Sequence, residues 1–393
     1  MVIGVPKESY PGERRVALTP AVLPALIHSG LTVLVEAGAG TGAGHADGDF
    51  KKAGAEIVPS RSEIFSAADI VLQVLALNAN PHAGLADLDL MHPGQVLIAF
   101  LRPLATNDNN IGTLAQARVT GLAIELIPRI TRAQSMDALS SMSTVVGYKA
   151  VLAAAEALPK MFPMLMTAAG TIKPARIFVI GAGIVGLEAI ATARRLGAVV
   201  KAYDVRPAVK QEVESLGASF VELALKTGEE QKAGGYAKAQ DENFYRRQQE
   251  LLTEAIAESD VVITAAVVLG RKAPVLITEA MVTRMSAGSV IVDLAAEQGG
   301  NCALSSAGEN VLHHGVTIRS PINIASSVPV HASQLYAKNL STFLLYLIKD
   351  DQLRLDRDDP IVRDTLITYG GEIVNERIRE FLNLSPTELR GQQ

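Results

Sequence analysis

Ala175-Arg-Ile-Phe-Val-Ile-Gly-Ala-Gly-Ile-Val-Gly-Leu-Glu-Ala-Ile190 decides the fold. An apolar, largely β-branched run, Ile177 to Ile180, ends in Gly181-x-Gly183-x-x-Gly186, and a helical pattern continues through Ala189, Ala191, Ala193 and Leu196. A second apolar run, Val199 to Tyr203, closes on Asp204. Gly181 permits the tight turn off the strand, Gly183 lets the backbone approach a pyrophosphate, and Gly186 lets helix and sheet pack closely. The diphosphate would rest on free N–H groups at the helix N-terminus, where the macrodipole favours negative charge. Asp204 lies 18 residues past Gly186, where an acid accepts from the adenosine ribose hydroxyls. Strand, glycines, helix, second strand and acid agree, so the stretch predicts a dinucleotide site rather than a glycine-rich turn in an ordinary α/β domain. Asp204 favours NAD(H), because a carboxylate there repels a 2′-phosphate, while Arg206 leaves NADP(H) open.

The whole-chain totals bound the function. At 393 residues the chain has room for two domains, and a net charge of −5 without a polybasic face argues against nucleic acid as a partner. The single cysteine, Cys302, excludes an intrachain disulfide framework and fits a reducing compartment, as a small buried apolar residue rather than a catalytic thiol. Met1 leads directly into an apolar run, Val2 to Val5, so no signal peptide is expected. The strongest apolar runs, Val71 to Leu77 and Ser341 to Ile348, fall short of the ~18–20 residues of a membrane helix. The expectation is a soluble chain without direct membrane insertion. Hydrophobic residues make up 48% but aromatics only 4%, with no Trp, so the cores should be built from Ala, Val, Leu and Ile.

Outward from the glycines, the alternation of strands and helices predicts α/β architecture: two doubly wound parallel-sheet, Rossmann-like domains with an interdomain cleft, bridged by long helices. Before the fingerprint, strands are expected at Val2–Val5, Leu31–Val35, Glu56–Val58, Ile70–Val74, Val96–Phe100 and Val119–Ile124. Helices fall at Thr19–Ser29, Asp49–Ala53, Ser62–Ala67 and Thr106–Ala117. Gly38-Ala-Gly40-Thr-Gly42-Ala-Gly44 follows a strand without an obvious helix and suits a loop. The second domain's strands would be Arg176–Ile180, Val199–Tyr203, Ser219–Val221, Val261–Thr264, Ser289–Val292 and Thr317–Ile318. Helical runs Met142–Leu158 and Ala332–Ile348 mark two crossings, which assigns residues 1–140 and 325–393 to a discontinuous first domain and 141–324 to the Rossmann domain. A charged insertion, Lys226 to Glu250, contains Gly234-Gly235-Tyr236; it is either a solvated loop with an exposed helix or a mobile, hinged lid. The tail, Asp350 to Gln393, holds a short hairpin around Thr368–Val374.

For chemistry, Arg15 could bind a substrate carboxylate or simply pair with Glu8 or Glu13. None of His28, His45, His82, His92, His313, His314 and His331 has a catalytic setting, and no metal-ligand cluster is seen. Arg129-Ile-Thr-Arg132-Ala-Gln134-Ser-Met-Asp137-Ala-Leu-Ser140 is the richest remaining segment. Arg129 and Asp137 could pair, Gln134 can donate and accept, and Ser140 can bond a phosphate or carboxamide. Such a set orients a dinucleotide without accepting a substrate proton; the plainer reading is a polar interdomain loop with one salt bridge.

Gly4-Val-Pro-Lys-Glu8, Glu13-Arg-Arg-Val-Ala-Leu-Thr-Pro20, the fingerprint Gly181-Ala-Gly-Ile-Val-Gly-Leu187 and Asp293-Leu-Ala-Ala-Glu-Gln-Gly-Gly300 resemble the alanine dehydrogenase/transhydrogenase superfamily. Arg129-Ile-Thr-Arg-Ala-Gln-Ser-Met-Asp137, Ala233-Gly-Gly-Tyr-Ala-Lys238 and Lys272-Ala-Pro-Val-Leu-Ile-Thr278 narrow this. They are similar to the NAD(H)-binding component (domain I, alpha subunit) of proton-translocating nicotinamide nucleotide transhydrogenase, over nearly the whole chain. Alanine dehydrogenase is the close rival. Its catalytic lysine and the histidine of its Phe-Leu-His correspond here to places holding Gln73-Val-Leu-Ala-Leu77 and Phe100-Leu-Arg102, and its aspartate before Gln-Gly-Gly is Glu297. Imine reduction then has no obvious acid/base pair, and Arg15 becomes inherited structure. A transhydrogenase needs no such base, because hydride passes directly between two nicotinamides. A non-catalytic NAD(H)-sensing scaffold is the third alternative.

The resemblance implies that Gly181, Gly183, Ile184, Val185, Gly186, Asp204, Val205, Arg206 and Ala266 hold the adenosine and diphosphate side of NAD(H). Arg129, Asp137 and Ser140 would fix the nicotinamide and its phosphate, with Tyr148 nearby. Gln134 would reach toward NADP(H) on a partner subunit, and Gly235 and Tyr236 would belong to a mobile loop over bound nucleotide. It further implies a homodimer docked on a membrane-spanning subunit and an NADP(H)-binding domain. This would be a peripheral subunit on the cytoplasmic face of a bacterial inner membrane.

Overall fold

The computed structural model describes residues 1–105, 110–222, 242–267, 270–350 and 352–384, with side chains from 247 onward in the helix that begins at 242. The chain forms two compact units, Met1–Met142 with Ala325–Gln393, and Ser143–Ile324. It passes from one to the other within the helix Ala138–Ala157 and returns ahead of the helix Pro329–Leu347.

The first unit is built on an eight-stranded sheet. From one edge inward its order is Glu56–Val58, Thr32–Glu36, Val2–Val5, Ile70–Leu75, Val96–Phe100, Thr120–Ala123, Leu366–Tyr369 and Glu372–Ile373. The first six run parallel, in the 3-2-1-4-5-6 order of a doubly wound sheet. The near-continuous apolar runs of the central strands Ile70–Leu75 and Val96–Phe100 are buried on both faces, as helices on both sides of a parallel sheet require. The expected tail hairpin forms, but it also extends this sheet, Leu366–Tyr369 pairing antiparallel with Thr120–Ala123. Thr368 Oγ1 completes that join, accepting from Gly121 N–H and donating to Val119 O, each at 2.9 Å. The helix Pro329–Leu347 buries Tyr336, Leu340, Phe343 and Leu344 in this unit's core. The Gly38–Gly44 segment is a loop broken by one 3-10 turn, Thr41–Ala43.

The second unit's seven-stranded sheet runs Ser219–Phe220, Val199–Tyr203, Arg176–Ile180, Val261–Thr264, Val290–Asp293, Val316–Arg319 and Asn310–His313. Six strands are parallel, again in the order 3-2-1-4-5-6. The seventh, Asn310–His313, is an antiparallel edge that the sequence does not announce. Alternation along the fingerprint strand divides the core. Ile177 and Val179 pack with Ala150, Val151 and Ala154 of the long helix and with Ala189, Ile190 and Ala193. Phe178 and Ile180 pack with Leu252, Ile256 and Met281 on the other face. A small hairpin, Leu165–Thr167 with Gly170–Ile172, is a further addition to the expected elements; its strands are exposed throughout.

The helix Ala138–Ala157 is long and apolar enough, by length and composition alone, to cross a membrane, although Lys149, Glu156 and several serines interrupt its apolar sequence. Its Ala150, Val151 and Ala154 are fully buried in the second unit's core, which accounts for its apolar character. Of the charged insertion 226–250, residues 226–241 lie outside the described residues, and the rest belongs to a helix, Glu242–Ala257. That helix is not simply exposed: Leu252 and Ile256 are buried, and Gln248 Nε2 donates to Tyr203 Oη at 3.0 Å.

Candidate functional site

In the second unit the strand Arg176–Ile180 delivers Gly181 to the point where strand order reverses, between Val199–Tyr203 and Val261–Thr264. Gly181 has φ +96°, a conformation that glycine adopts without penalty. A Cβ on it would lie 3.0–3.2 Å from the Ala265–Ala266 peptide. Gly183 caps the helix Ile184–Arg195, and a Cβ there would meet nothing within 4 Å. A Cβ on Gly186 would stand 1.8 Å from Gly181 O, so helix and turn are in backbone contact. The helix ends in a Schellman turn at Gly197, with Ala198 N–H donating to Ala193 O and Gly197 N–H to Arg194 O. Arg194 and Arg195 complement its negative end.

Asp204 ends the second strand, and its carboxylate is turned into the glycine turn. Oδ2 accepts from Ala182 N–H at 2.8 Å, and Oδ1 from Arg206 N–H at 2.9 Å. Arg206 also grips it through Nε and Nη2, both at 2.9 Å, which raises the guanidinium pKa further. The structure thus holds Arg206 on Asp204. Ile184, Val185, Val205 and Ala266 are partly buried around this turn. Ala266 is clamped by Asn301, whose Oδ1 accepts from its N–H at 3.1 Å and whose Nδ2 donates to its O at 2.8 Å. Tyr148 is exposed on the long helix. Beside it, Gly147 brings that helix onto the fingerprint helix, since a Cβ on Gly147 would stand 2.3 Å from Val185 O. Sequence reasoning misses both Gly147 and Asn301. The signals that could have found them are adjacency alone: Gly147 precedes Tyr148, and Asn301 directly follows the Asp293–Gly300 motif.

The Arg129–Ser140 segment belongs to the first unit up to the start of the long helix. Arg129 and Gln134 are both exposed, Gln134 within a 3-10 turn Thr131–Met136. The suggested pairing of Arg129 with Asp137 does not occur. Asp137 instead caps the helix, accepting from Ser140 N–H at 2.8 Å and from Ser140 Oγ. A cap three residues away wins because it satisfies an otherwise orphaned helix N–H. The segment's ion pair is made by Arg132, which binds Asp359 at 2.8 Å and Tyr346 Oη at 2.8 Å. Asn339 Nδ2 donates to Ser135 O at 2.9 Å and fixes the turn. Gly235 and Tyr236 lie outside the described residues.

Arg15 is buried against Glu13 in a two-pronged pair, Nε–Oε1 2.8 Å and Nη2–Oε2 2.6 Å. Of the two sequence readings, the geometry is that of the ion pair. Nearby, Glu8 accepts from Val74 N–H at 2.6 Å and Leu75 N–H at 3.2 Å. Burial, aided by the Glu13 charge, pushes its carboxyl up to about 8. Burial likewise lifts Glu125 to about 7, against hydrogen bonds from Leu101 and Arg102 N–H. Among the described residues no cluster of His, Cys, Asp and Glu has the makings of a metal site.

Residues 4–146 match the alanine dehydrogenase/PNT N-terminal domain and residues 150–376 the alanine dehydrogenase/PNT C-terminal domain. The chain is 47% identical to the first portion of the NAD(P) transhydrogenase subunit alpha of Rhodospirillum rubrum, over 95% of its own length and 98% of the relative's. An alanine dehydrogenase of Staphylococcus saprophyticus is 30% identical over 99% of each chain. The crystal structure of transhydrogenase from Sinorhizobium meliloti superposes with a TM-score of 0.84 at 42% identity, covering 95% of this chain and all of that one. The chain belongs to the alanine dehydrogenase/PNT family.

Proposed function

We propose that this chain is the NAD(H)-binding component of a proton-translocating transhydrogenase. It would pass hydride directly between NAD(H) held here and NADP(H) held on a partner subunit. One observation carries the binding half of this reading. At the second unit's switch point the backbone is stripped of side chains at Gly181, Gly183 and Gly186, and of these only Gly183 faces open space. A diphosphate fits there, over the N-terminus of Ile184–Arg195.

Gly181, Gly183, Ile184, Val185 and Gly186 would then carry the diphosphate. Asp204, with Val205, Arg206 and Ala266, would line the adenosine side. Asp204 donates nothing and carries negative charge, so it favours a free ribose 2′-hydroxyl over a phosphate, and Arg206 is already neutralised by it. Arg129, Asp137, Ser140 and Tyr148 would hold the nicotinamide end. Asp137 acts there by fixing Ser140 and the helix start rather than by pairing with Arg129. The exposed Gln134 would reach the second nucleotide, and Gly235 and Tyr236 would close over the first. The nicotinamide supplies or accepts the hydride, and no proton leaves the reacting carbon. Binding, aiming and exclusion of water are therefore all this chain must provide.

The partners in this reading are a second copy of the chain, a membrane-spanning subunit and the NADP(H)-binding domain. Its place is the cytoplasmic face of a bacterial inner membrane. The higher identity to the transhydrogenase subunit than to alanine dehydrogenase supports it. So does the absence of a lysine from Gln73-Val-Leu-Ala-Leu77 and of a histidine from Phe100-Leu-Arg102, where the resemblance places the dehydrogenase pair. The test is to mix the purified chain with an NADP(H)-binding component and follow reduction of an NAD+ analogue by NADPH. Transfer is expected only in the mixture and is expected to slow in Gln134→Asn. Turnover of alanine with NAD+ by the chain alone would overturn the proposal, as would calorimetric preference for NADPH over NADH.

A further inference from the structure

Ala265 and Ala266 follow the strand Val261–Thr264, which pairs with the fingerprint strand on the side away from Val199–Tyr203. Their shared peptide lies against Gly181, on the crevice where strand order reverses. Ala265 N–H still donates to Ile180 O, at 2.9 Å. Ala266 is one residue further on, and its backbone is held by the side chain of Asn301 instead. Asn301 is fully buried, and its amide behaves like a strand partner, accepting from Ala266 N–H at 3.1 Å and donating to Ala266 O at 2.8 Å. Its second N–H donates to Pro274 O at 2.8 Å. Both N–H donors and the carbonyl oxygen of this side chain are thus directed at the backbone of two segments.

Asn301 is in turn set by Asp293, the last residue of the neighbouring strand and also fully buried. Asp293 Oδ2 accepts from Asn301 N–H at 2.8 Å, Cys302 N–H at 2.9 Å and Ser305 Oγ at 2.6 Å. Oδ1 accepts from Thr264 Oγ1 at 3.0 Å and Ala295 N–H at 2.9 Å. A buried carboxylate with this many donors is well satisfied and held in one orientation. Asn301 O accepts from Leu276 and Ile277 N–H at 2.8 and 2.9 Å, which fixes the residue at its other end. The chain of contacts runs Asp293, Asn301, Ala266, Gly181.

We infer that Asn301, anchored by Asp293, is a positioning residue for nucleotide binding: it holds the Ala265–Ala266 peptide against the fingerprint turn and so fixes that wall of the NAD(H) site. This rests on the proposal that NAD(H) binds at that turn. Neither side chain need touch the nucleotide; a wall loosened by a fraction of an ångström loses complementarity.

Hydrogen–deuterium exchange on the full-length chain is the first test. Saturating NADH is expected to slow exchange at the amides of 264–267 and 293–305 in the wild type, and unchanged exchange there would overturn the inference. Asn301→Ala is expected to raise the NADH dissociation constant about tenfold or more and to speed exchange at 264–267, while amides of Ile177–Ile180 stay protected. Its melting curve, taken alongside, separates loosening from unfolding. Asn301→Ser, which shortens the side chain without burying a charge against the Ala266 and Pro274 carbonyls and is expected to weaken NADH binding in the same direction, serves if the alanine variant does not fold. Thr264→Val removes one donor from Asp293 without touching Asn301 and is expected to change affinity less than about twofold. A wild-type chain that binds no NADH overturns the proposed function itself. Wild-type binding with full affinity retained in folded Asn301→Ala overturns only the positioning role.

Discussion

Both units share one strand order and differ in what occupies the point where it reverses. In the first, the turn after Val2–Val5 closes with the chain's own polar side chains. Glu8 bonds the N–H groups at the end of Ile70–Leu75, Arg15 is locked on Glu13, and Tyr336 donates to Gln73 O at 2.7 Å. In the second, the turn after Arg176–Ile180 carries glycines, and open space faces Gly183. A switch point opens a crevice at the carboxyl ends of the strands, where backbone N–H groups at a loop or helix start can take an anion. The first unit engages its strand-end N–H groups with a carboxyl group of its own, at a desolvation cost seen in Glu8 being pushed up to about 8. In the second, the N-terminus of Ile184–Arg195 faces open space at Gly183 instead.

The comparison is broken most directly at Arg15. Arg15→Ala strips the counter-charge from Glu13, whose side chain is fully buried, and removes a cation beside Glu8. Removing one partner of a buried pair costs about 3–5 kcal/mol, so urea denaturation should show a loss of that order. NADH affinity of the folded fraction should stay at the wild-type level, because the first switch point is filled by the chain's own side chains. A loss of stability under about 1 kcal/mol would show that the charges do not hold the turn closed.

Glu8 sharpens the same contrast through pH. Its folded pKa is raised to about 8, so the folded state keeps a proton that the unfolded chain has released. The associated stability is present in full below the unfolded value and is lost as pH rises toward 8. Glu125, raised to about 7, adds in the same direction. Unfolding free energies measured from pH 5 to 9 should fall across that window, by up to a few kcal/mol at ~1.4 kcal/mol per pH unit and proton. Glu8→Gln should flatten the slope. The slope rather than the level is the readout, because an amide nitrogen facing Leu75 N–H is itself unfavourable. An unchanged slope would remove Glu8 from the account.

In the second unit the glycines supply the contrast. Gly186→Ala drives a methyl into Gly181 O and should cost about 1–3 kcal/mol, together with most NADH binding. Gly183→Ala meets nothing in the protein, so stability should change by less than about 0.5 kcal/mol. If the proposed site is right, NADH affinity should nevertheless fall, because the new methyl would stand in the path of the diphosphate. Equal affinity in Gly183→Ala and wild type would place the nucleotide elsewhere.

This difference between the units is only half legible in the sequence. The glycines announce themselves, because few other residues serve at a tight turn, a ligand approach and a helix–strand contact. The sheet of the second unit follows from β-branched runs at regular spacing. Glu8 gives no such signal: Pro6-Lys7-Glu8 looks like an ordinary polar turn, and its burial depends on Val74 and Leu75, which only the fold brings to it. The tail hairpin is readable from Gly370-Gly371, but its seat beside Thr120–Ala123 depends on residues some 247 positions away. At Asp137 the residue types suggest an arginine partner, where a three-residue cap prevails. Three-residue strands such as Leu165–Thr167 carry too little pattern to be seen.

The smallest expected effect concerns the arginine at the second switch point. Arg206 grips Asp204 as Arg15 grips Glu13, but Arg206 keeps about a quarter of its side chain exposed, at 24%, against 4% for Arg15. Water can replace it, so Arg206→Ala should cost under about 1 kcal/mol of stability. Asp204 would keep its bond to Ala182 N–H and hence its place at the strand end. With its cation gone the carboxylate repels a 2′-phosphate more strongly, so discrimination against NADPH should widen while NADH affinity moves less than about threefold. Calorimetry with both nucleotides on wild type and Arg206→Ala decides this. If NADPH binding improved or NADH binding collapsed, Arg206 would be a nucleotide ligand in its own right, and the second switch point would depend on its own charges as the first does.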